Sequence, residues 1–331
     1  MDKGRGKAVK GTYKVEIELA KQEKIVNRLF GVSLAESREL TDGWANAAYE
    51  IKLTDGRKVV LKAAPLPDVK MMRYERNLMR AEVEVMRSVR DLGTVPVPAI
   101  YGHDDSRSLV PVEYFVMEFI EGEPYSKRKN EMEPEQREKV ERELGRYNRR
   151  INELKGSRFG LFADEASQSD SWKEAFGRMI ESVLLDGEDE GVELPADYDE
   201  MRRQIAKALP ALEDVKEPRL AHWDLWDGNV FVKDGRITGI IDFERAMWAD
   251  PLIEHYFSHF NGTQAFNVGY GQASLTREEK LRRSLYDLHL DLILRIECAY
   301  RQYEDPVHIE WTKKNLAEGW ERFLAALSPA E

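Results

Sequence analysis

Cysteine is nearly absent. Cys298 is the only one in 331 residues, so no disulfide framework or cysteine-based metal site is possible within one chain, and a reducing, cytoplasmic setting fits best. Long apolar runs are missing too. None approaches the roughly 18 residues that a membrane span needs, and the basic stretch 1–14 lacks the apolar segment that would make it a secretory signal. Positive charge is in deficit: 50 Lys and Arg stand against 61 Asp and Glu, a formal net charge of −11. A phosphate backbone wants a basic face, which argues against nucleic acid as a partner; a cationic small molecule suits this balance slightly better than an anionic one. No internal repeat or long low-complexity tract appears. What remains is an ordinary soluble composition, 42% apolar and 34% charged, with length enough for about two domains.

The chain order separates β-rich from helical material. Glu16 to Phe30 reads as a helix, although TYKVEI also alternates as a strand does. Residues 45–65 read as two strands joined at Asp55-Gly56, a two-residue hairpin signal. A helical pattern runs from Asp68 to Asp91, VPVP marks an extended exit, and VPVEYFVMEFIEGEP reads as a central strand ending at Gly122-Glu123-Pro124. Helical patterns then dominate at 133–155, 171–186 and 197–213. A second hairpin turns at Asp234-Gly235, and beyond Asp250-Pro251 the chain reads as helical, with long patterns near 276–303 and 307–327. The expected architecture is α+β: a small β-rich lobe with one key helix, then a larger, mainly helical lobe. Clefts between such lobes are natural nucleotide sites.

The chemistry concentrates in residues 222–244, HWDLWDGNVFVKDGRITGIIDFE. His222, Asp224 and Asn229 stand in an H-x-D-x-x-x-x-N spacing, a hairpin follows, and its return strand ends on Asp242. Strand geometry brings Asn229 and Asp242 to the same end of that hairpin, where both can reach one metal ion. Asp224, on the loop before it, can take or orient the proton of an attacking hydroxyl, while His222 suits bracing the loop through hydrogen bonds. Two carboxylates and a carboxamide around one hairpin are what a phosphoryl-transfer site needs to hold Mg²⁺ and an acceptor hydroxyl. Asp and Asn also favour turns, but turn chemistry does not explain an acid ending an apolar strand.

This segment resembles the catalytic and metal-binding loops of the aminoglycoside phosphotransferase and choline-kinase-like group, which shares the protein-kinase fold. The resemblance covers roughly residues 38 to 300. It implies a nucleotide-binding lobe over 1–118, a catalytic and substrate lobe over 119–331, and ATP or GTP with Mg²⁺ as the phosphate source. It places a nucleotide loop at residues 40–46, with Gly43 and Asn46 letting backbone groups approach the phosphates. Lys62, in VVLKAAP, takes the position of the strand lysine that meets them. Its partner is a glutamate on the next helix. Glu82 shares a face with Leu78, Val85 and Val89, whereas Glu84 lies among polar residues; a carboxylate in an apolar stripe wants an internal cation, so Glu82 is chosen, with Glu75 as the alternative. Met117 to Ile120 become the hinge, where backbone groups of Glu118 and Ile120 read the adenine edge, and Asp250 becomes structural.

Departures narrow the substrate. Trp223 stands where antibiotic kinases of the group commonly carry Gly, the metal segment is Asp-Phe-Glu rather than Asp-Phe-Gly, and Asn152 stands where many relatives have histidine. No A-P-E activation segment follows, which disfavours a protein kinase. In relatives with cationic substrates, acids of the long C-terminal helix line the acceptor pocket, which makes Asp287 and Asp291 candidate contacts; Trp226, Trp248 and Tyr270 could wall a sugar or an ammonium group. His255 and His259, spaced i, i+4 beside Glu254, could offer metal ligands, but no third is apparent and EHYFSHF reads better as a packed aromatic helix. The expectation is a small-molecule kinase, with a catalytically silent nucleotide-binding protein as the alternative. Aminoglycoside, macrolide, choline-like amine, homoserine-like amino acid and sugar remain open as acceptors.

Overall fold

The computed structural model describes residues 14–41 and 46–328. A short helix, α1 (Leu19–Phe30), is followed by strands β1 (Leu34–Leu40), β2 (Ala47–Leu53) and β3 (Lys58–Ala63), helix α2 (Leu78–Asp91), and strands β4 (Ile100–Asp104) and β5 (Tyr114–Glu118). The strands form one antiparallel sheet in the order β1-β2-β3-β5-β4. Alternation decides which face is buried. Ala47, Tyr49, Ile51 and Leu53 of β2 point to one side and pack with Ile25 and Val26 of α1. The other side, through Val60, Phe115 and Met117, packs on Met79, Val83 and Met86 of α2.

The second lobe begins with β6 (Glu123–Pro124), the single turn α3 (Tyr125–Arg128) and α4 (Pro134–Ile151). It continues through β7 (Gly160–Leu161), α5 (Trp172–Asp189), α6 (Tyr198–Ala208), β8 (Arg219–Ala221), the hairpin β9 (Val230–Lys233) and β10 (Arg236–Ile240), and β11 (Met247–Ala249). Three helices complete it: α7 (Gln264–Tyr270), α8 (Arg277–Tyr300) and α9 (Pro306–Leu327). Helix starts carry local stop-and-go signals. Ser171, Asp197 and Asp305 cap α5, α6 and α9, and Thr276 with Glu279 forms a capping box on α8. Among the described residues, no helix is long and apolar enough to cross a membrane.

The hairpin turned at Asp234-Gly235 and the five long helical patterns stand close to where periodicity puts them. Four segments differ. The helix expected from Asp68 starts only at Leu78. Residues 64–77 instead form a strap from the first lobe across the second, where Met72 and Tyr74 join the core around α5 and α8. Its apolar periodicity reflects real burial, but against the other lobe. Leu34–Leu40, to which the sequence assigns no element, is a strand; lying at the sheet edge with mostly exposed side chains, it carries no apolar alternation to announce it. Ile100–Asp104 likewise adds an edge strand after VPVP. The segment after Asp250 is not a packed helix but two short 3₁₀ turns, Pro251–Ile253 and His255–Phe257, broken at Glu254 in an extended conformation. His255 and His259 are therefore not one helical turn apart on a common face.

Candidate active site

The cleft is built around Lys62. Strand β3 presents its Nζ 2.6 Å from Glu82 Oε2 on α2, 2.8 Å from Asp242 Oδ1 and 3.4 Å from Glu244 Oε2. Glu75, the alternative partner, sits elsewhere, on Arg301 at 2.5 Å. Burial works against the Lys62 charge, but Asp242, Glu82 and Glu244 more than offset it and hold its pKa well above the usual lysine value. Three carboxylates around one ammonium leave an excess of negative charge, and the most deeply buried of them yields. Burial pushes the Glu82 carboxyl up to about 8, with Lys62 opposing. Burial also pushes Asp242 upward, but the Lys62 ammonium outweighs it and holds Asp242 below the usual carboxylate value. The same Glu244 oxygen accepts from Asn46 Nδ2 at 2.7 Å, on the segment just before β2, whose start pairs with the Lys62 end of β3. Gly43 lies outside the described residues.

The loop after β8 carries the second half. His222 is fully buried. Its backbone N–H donates to Glu254 Oε1 at 2.9 Å, its Nε2 lies 3.0 Å from Ile241 O, and its ring stands 4.2 Å from that of Phe243. Burial holds its pKa below the ordinary histidine value, so the ring stays neutral at pH 7, and Nε2–H donates to the carbonyl. Trp223 takes a left-handed conformation, φ 65°, and donates its N–H to Glu254 Oε2 at 2.9 Å. Glu254 Oε1 also accepts from Asn148 Nδ2 and Asn152 Nδ2, each at 2.8 Å. One buried carboxylate thus gathers the loop backbone and helix α4. Asn229 turns its Nδ2 back to Asp224 O at 2.8 Å, which leaves its amide oxygen for another partner, and Ile241 N donates to Asn229 O at 3.1 Å, tying Asn229 to the Asp242 end of the hairpin.

Asp224 itself is half-buried, and its carboxylate makes no hydrogen bond to any described residue. Burial pushes it up to about 7, the Arg245 guanidinium pulls it back down, and Asp242 and Glu244 push the same way as burial. A carboxyl poised near neutrality is matched to taking a proton from a hydroxyl.

The remaining candidates are placed differently from one another. Glu118 N–H is engaged by Ala99 O at 2.8 Å, leaving only its carbonyl for a nucleobase edge. Ile120 lies over Gly239 of β10, where a Cβ would come within 2.7 Å of Ile120 Cγ2, so a glycine is required there. Trp226 is 41% exposed beside Asp224 in sequence. Tyr270 is not an open wall: its hydroxyl donates to Asn152 Oδ1 at 2.8 Å. Asp291 is fully buried and accepts from Asn315, His259 and Arg322, and Asp287 pairs with Arg283 at 2.9 Å. Both acids are already answered within the second lobe, and the geometry corrects their reading as open contacts for a cation. His259 Nε2 is turned to Asp291 at 3.2 Å, not to a metal.

Three residues of the site went unread in the sequence: Glu244, Arg245 and Glu254. Glu254 carried one signal, an acid directly after the buried pair Leu252 and Ile253. A divalent cation fits the donor chemistry. Oxygens of Glu82, Asp242 and Glu244 lie within 4.8 Å of one another, all hard ligands, with a net negative charge that one lysine does not neutralise.

A β-rich lobe offering a Lys–Glu pair to an Asp-Asn-Asp loop on a helical lobe defines a kinase-like phosphotransferase. The sequence pattern of the phosphotransferase enzyme family matches residues 36–286, and the chain belongs to that family. A protein assigned as a fructosamine-3-kinase from Haemophilus somnus has a similar fold, with a TM-score of 0.67 and 18% identity over 90% of this chain and 96% of that one. The aminoglycoside phosphotransferase APH(4)-Ia, in ternary complex with AMP-PNP and hygromycin B, is similar with a TM-score of 0.60 and 20% identity over 93% and 97% of the two chains. A homoserine kinase from Gluconacetobacter diazotrophicus is 32% identical over 90 residues, which is 27% of this chain and 26% of that protein, so the similarity spans about a quarter of its length.

Proposed function

We propose that this phosphotransferase moves the γ-phosphoryl group of ATP to a hydroxyl of a small molecule. The observation that carries the reading is the position of Lys62, bridging Glu82 at 2.6 Å and Asp242 at 2.8 Å, which joins the two lobes at the point where phosphates would lie. ATP is favoured over GTP because structural relatives bind AMP-PNP, in the case of APH(4)-Ia, or ATP, in the streptomycin complex of APH(2″)-IIa. Lys62 would pair with the nucleotide phosphates, Asn46 would support the phosphate-facing loop through Glu244, and the carbonyl of Glu118 with the backbone of Ile120 would meet the base. A magnesium ion, held by Asp242, Glu244 and the free amide oxygen of Asn229, would supply charge neutralisation at the β- and γ-phosphates.

The step is direct transfer. The acceptor oxygen forms a bond to the γ-phosphorus, the bond to the β–γ bridging oxygen breaks, ADP leaves, and the acceptor proton passes to Asp224. Positioning and charge stabilisation supply the rate, with no covalent enzyme intermediate. Asp224→Asn tests it. This variant should bind Mg-ATP as the parent does while ADP formation falls by about 10²–10⁴-fold, the range for a lost general base. Unchanged turnover would remove Asp224 from the role.

A further inference from the structure

Arg245 ends the 3₁₀ turn that follows Asp242. Its side chain is 14% exposed, with the guanidinium carbon 5.5 Å over the Tyr74 ring and 5.9 Å over the Trp223 ring. Its ion-pair distances are long: 3.6 Å to Glu297 and 3.9 Å to Glu75. Arg301 takes both of those carboxylates at closer range, 2.5 Å to Glu75 and 3.3 Å to Glu297. The Arg245 guanidinium is left with five donors and no hydrogen bond to any described residue, and its Nε is buried without a partner. The Tyr74 hydroxyl, on a side chain 8% exposed, is also buried and unpartnered.

Stacking on two rings accounts for the position of the cation but satisfies none of its donors, and buried unpaired donors of this kind are rare. The strap is what creates the arrangement. Arg73 N donates to Asp186 Oδ2 at 3.0 Å, its guanidinium pairs with Asp186 and with Asp189 at 2.6 Å, and Met72 is buried in the second lobe. Tyr74 is thereby pinned against Arg245 and against Trp223, the residue next to Asp224.

We propose that Arg245 and Tyr74 read a carboxylate on the acceptor, beside the hydroxyl that faces Asp224. Both groups offer N–H or O–H and so call for oxygen acceptors, and the planar guanidinium fork matches the two oxygens of a carboxylate in a way that a lone hydroxyl or an amine does not. The inference rests on the phosphotransferase reading above and deepens it: the acceptor class is a hydroxy acid or hydroxy amino acid, and Arg245 is the residue that selects it.

The test uses the full-length protein with Mg-ATP and a panel of three- to five-carbon hydroxy acids and hydroxy amino acids, each set against its own carboxamide. ADP formation should be stimulated by acids in the panel, with carboxamides showing KM values about tenfold or more higher, the scale of an unmatched buried polar group. Arg245→Met should raise the KM of the acids by about tenfold or more while leaving that for ATP unchanged, and Arg245→Lys, which keeps the charge but loses the fork, should recover part of the loss. Tyr74→Phe should raise the same KM by a smaller factor. Melting temperatures of the variants identify any that fail to fold, and Tyr74→Phe, which removes one oxygen, keeps the test open if Arg245→Met is among them. Equal use of acids and carboxamides, stimulation by none of the acids, or an acid KM unmoved in Arg245→Met and Tyr74→Phe overturns the proposal. Background Mg-ATP hydrolysis that Asp224→Asn abolishes would leave the kinase reading standing in each of those cases; its absence would count against that reading instead.

Discussion

Glu254 Oε2 accepts the backbone N–H of Trp223 at 2.9 Å and holds it at φ 65°, in the left-handed region. Few tryptophans adopt that conformation, because a side chain there crowds the following carbonyl, at a cost of about 1–2 kcal/mol. The same carboxylate takes the His222 N–H and two asparagine side chains. The bend that turns Asp224 into the cleft is therefore imposed from helix α4 and the Asp250–Glu254 segment, not by the loop's own preferences.

Glu254→Ala should consequently be among the most damaging single changes. It removes the acceptor of four hydrogen bonds, of whose donor atoms Asn152 Nδ2 keeps a second partner in Leu220 O, and each unsatisfied buried donor costs about 1–3 kcal/mol before relaxation. A loss of about 3–5 kcal/mol in urea unfolding is expected, with Asp224-dependent turnover falling further than stability alone explains. Glu254→Gln should lose less but not be benign, since its NH₂ presents donors to donors. A loss below about 1 kcal/mol for Glu254→Ala would show that the loop is held by other means.

Trp223→Gly separates strain from packing. Glycine removes the left-handed penalty, but Trp223 is 4% exposed, stacks on His289 at 5.6 Å and meets Tyr74 edge-on at 6.2 Å. Deleting a buried aromatic of this size costs about 3–5 kcal/mol, more than the strain relieved. A net loss of about 2–3 kcal/mol is expected in denaturant melts. A variant more stable than the parent would show that the ring contributes little.

How much of this was legible in the sequence depends on whether a residue announces itself locally. Lys62 and Glu82 did, because a charge at the end of an apolar strand and a carboxylate inside an apolar helical stripe each demand a partner, and they stand 2.6 Å apart. Asp224, Asn229 and Asp242 are bound by spacing and a tight hairpin. Glu254 and Arg245 are different. Their significance comes from what chain segments far away bring to them: Asn148 and Asn152 to one, Tyr74 to the other. The strap misled for the same reason. Met72 and Tyr74 stand just ahead of the apolar stripe of α2 and read as its extension, but their burial is against α5 and α8, which no local pattern encodes. Asp291 reads as a candidate substrate contact until α9 covers it, with Asn315 and Arg322 arriving from a different helix.

The pH dependence of turnover should report Asp224. Burial pushes its carboxyl up to about 7, and only the ionised form accepts a proton, so kcat/KM should fall as pH drops through that value. Arg245 acts in the opposite direction, favouring the anion. Arg245→Met should therefore move the acidic limb upward, a displacement that loss of acceptor contacts alone does not produce. An acidic limb near pH 4, unmoved by that substitution, would be incompatible with a buried base countered by Arg245.

Glu82 makes the last prediction, on stability rather than rate. Its folded carboxyl is pushed by burial to about 8, above the ordinary value near 4.5 that it has when unfolded. Between those values the folded chain binds a proton that the unfolded chain has released, so this group's contribution to stability is present at low pH and declines as pH rises through the interval. In metal-free buffer, urea melts of the parent should weaken from pH 5 to pH 8. Glu82→Gln removes the ionisation while keeping the shape that faces Lys62, and should flatten the profile. Its advantage over the parent at pH 8 should be about 1–2 kcal/mol, below the full linkage value because Lys62 still favours the anion. Identical pH profiles for parent and variant would mean that Glu82 stays ionised throughout, paired with Lys62, and that the excess charge of the cluster is carried by Asp242 or Glu244.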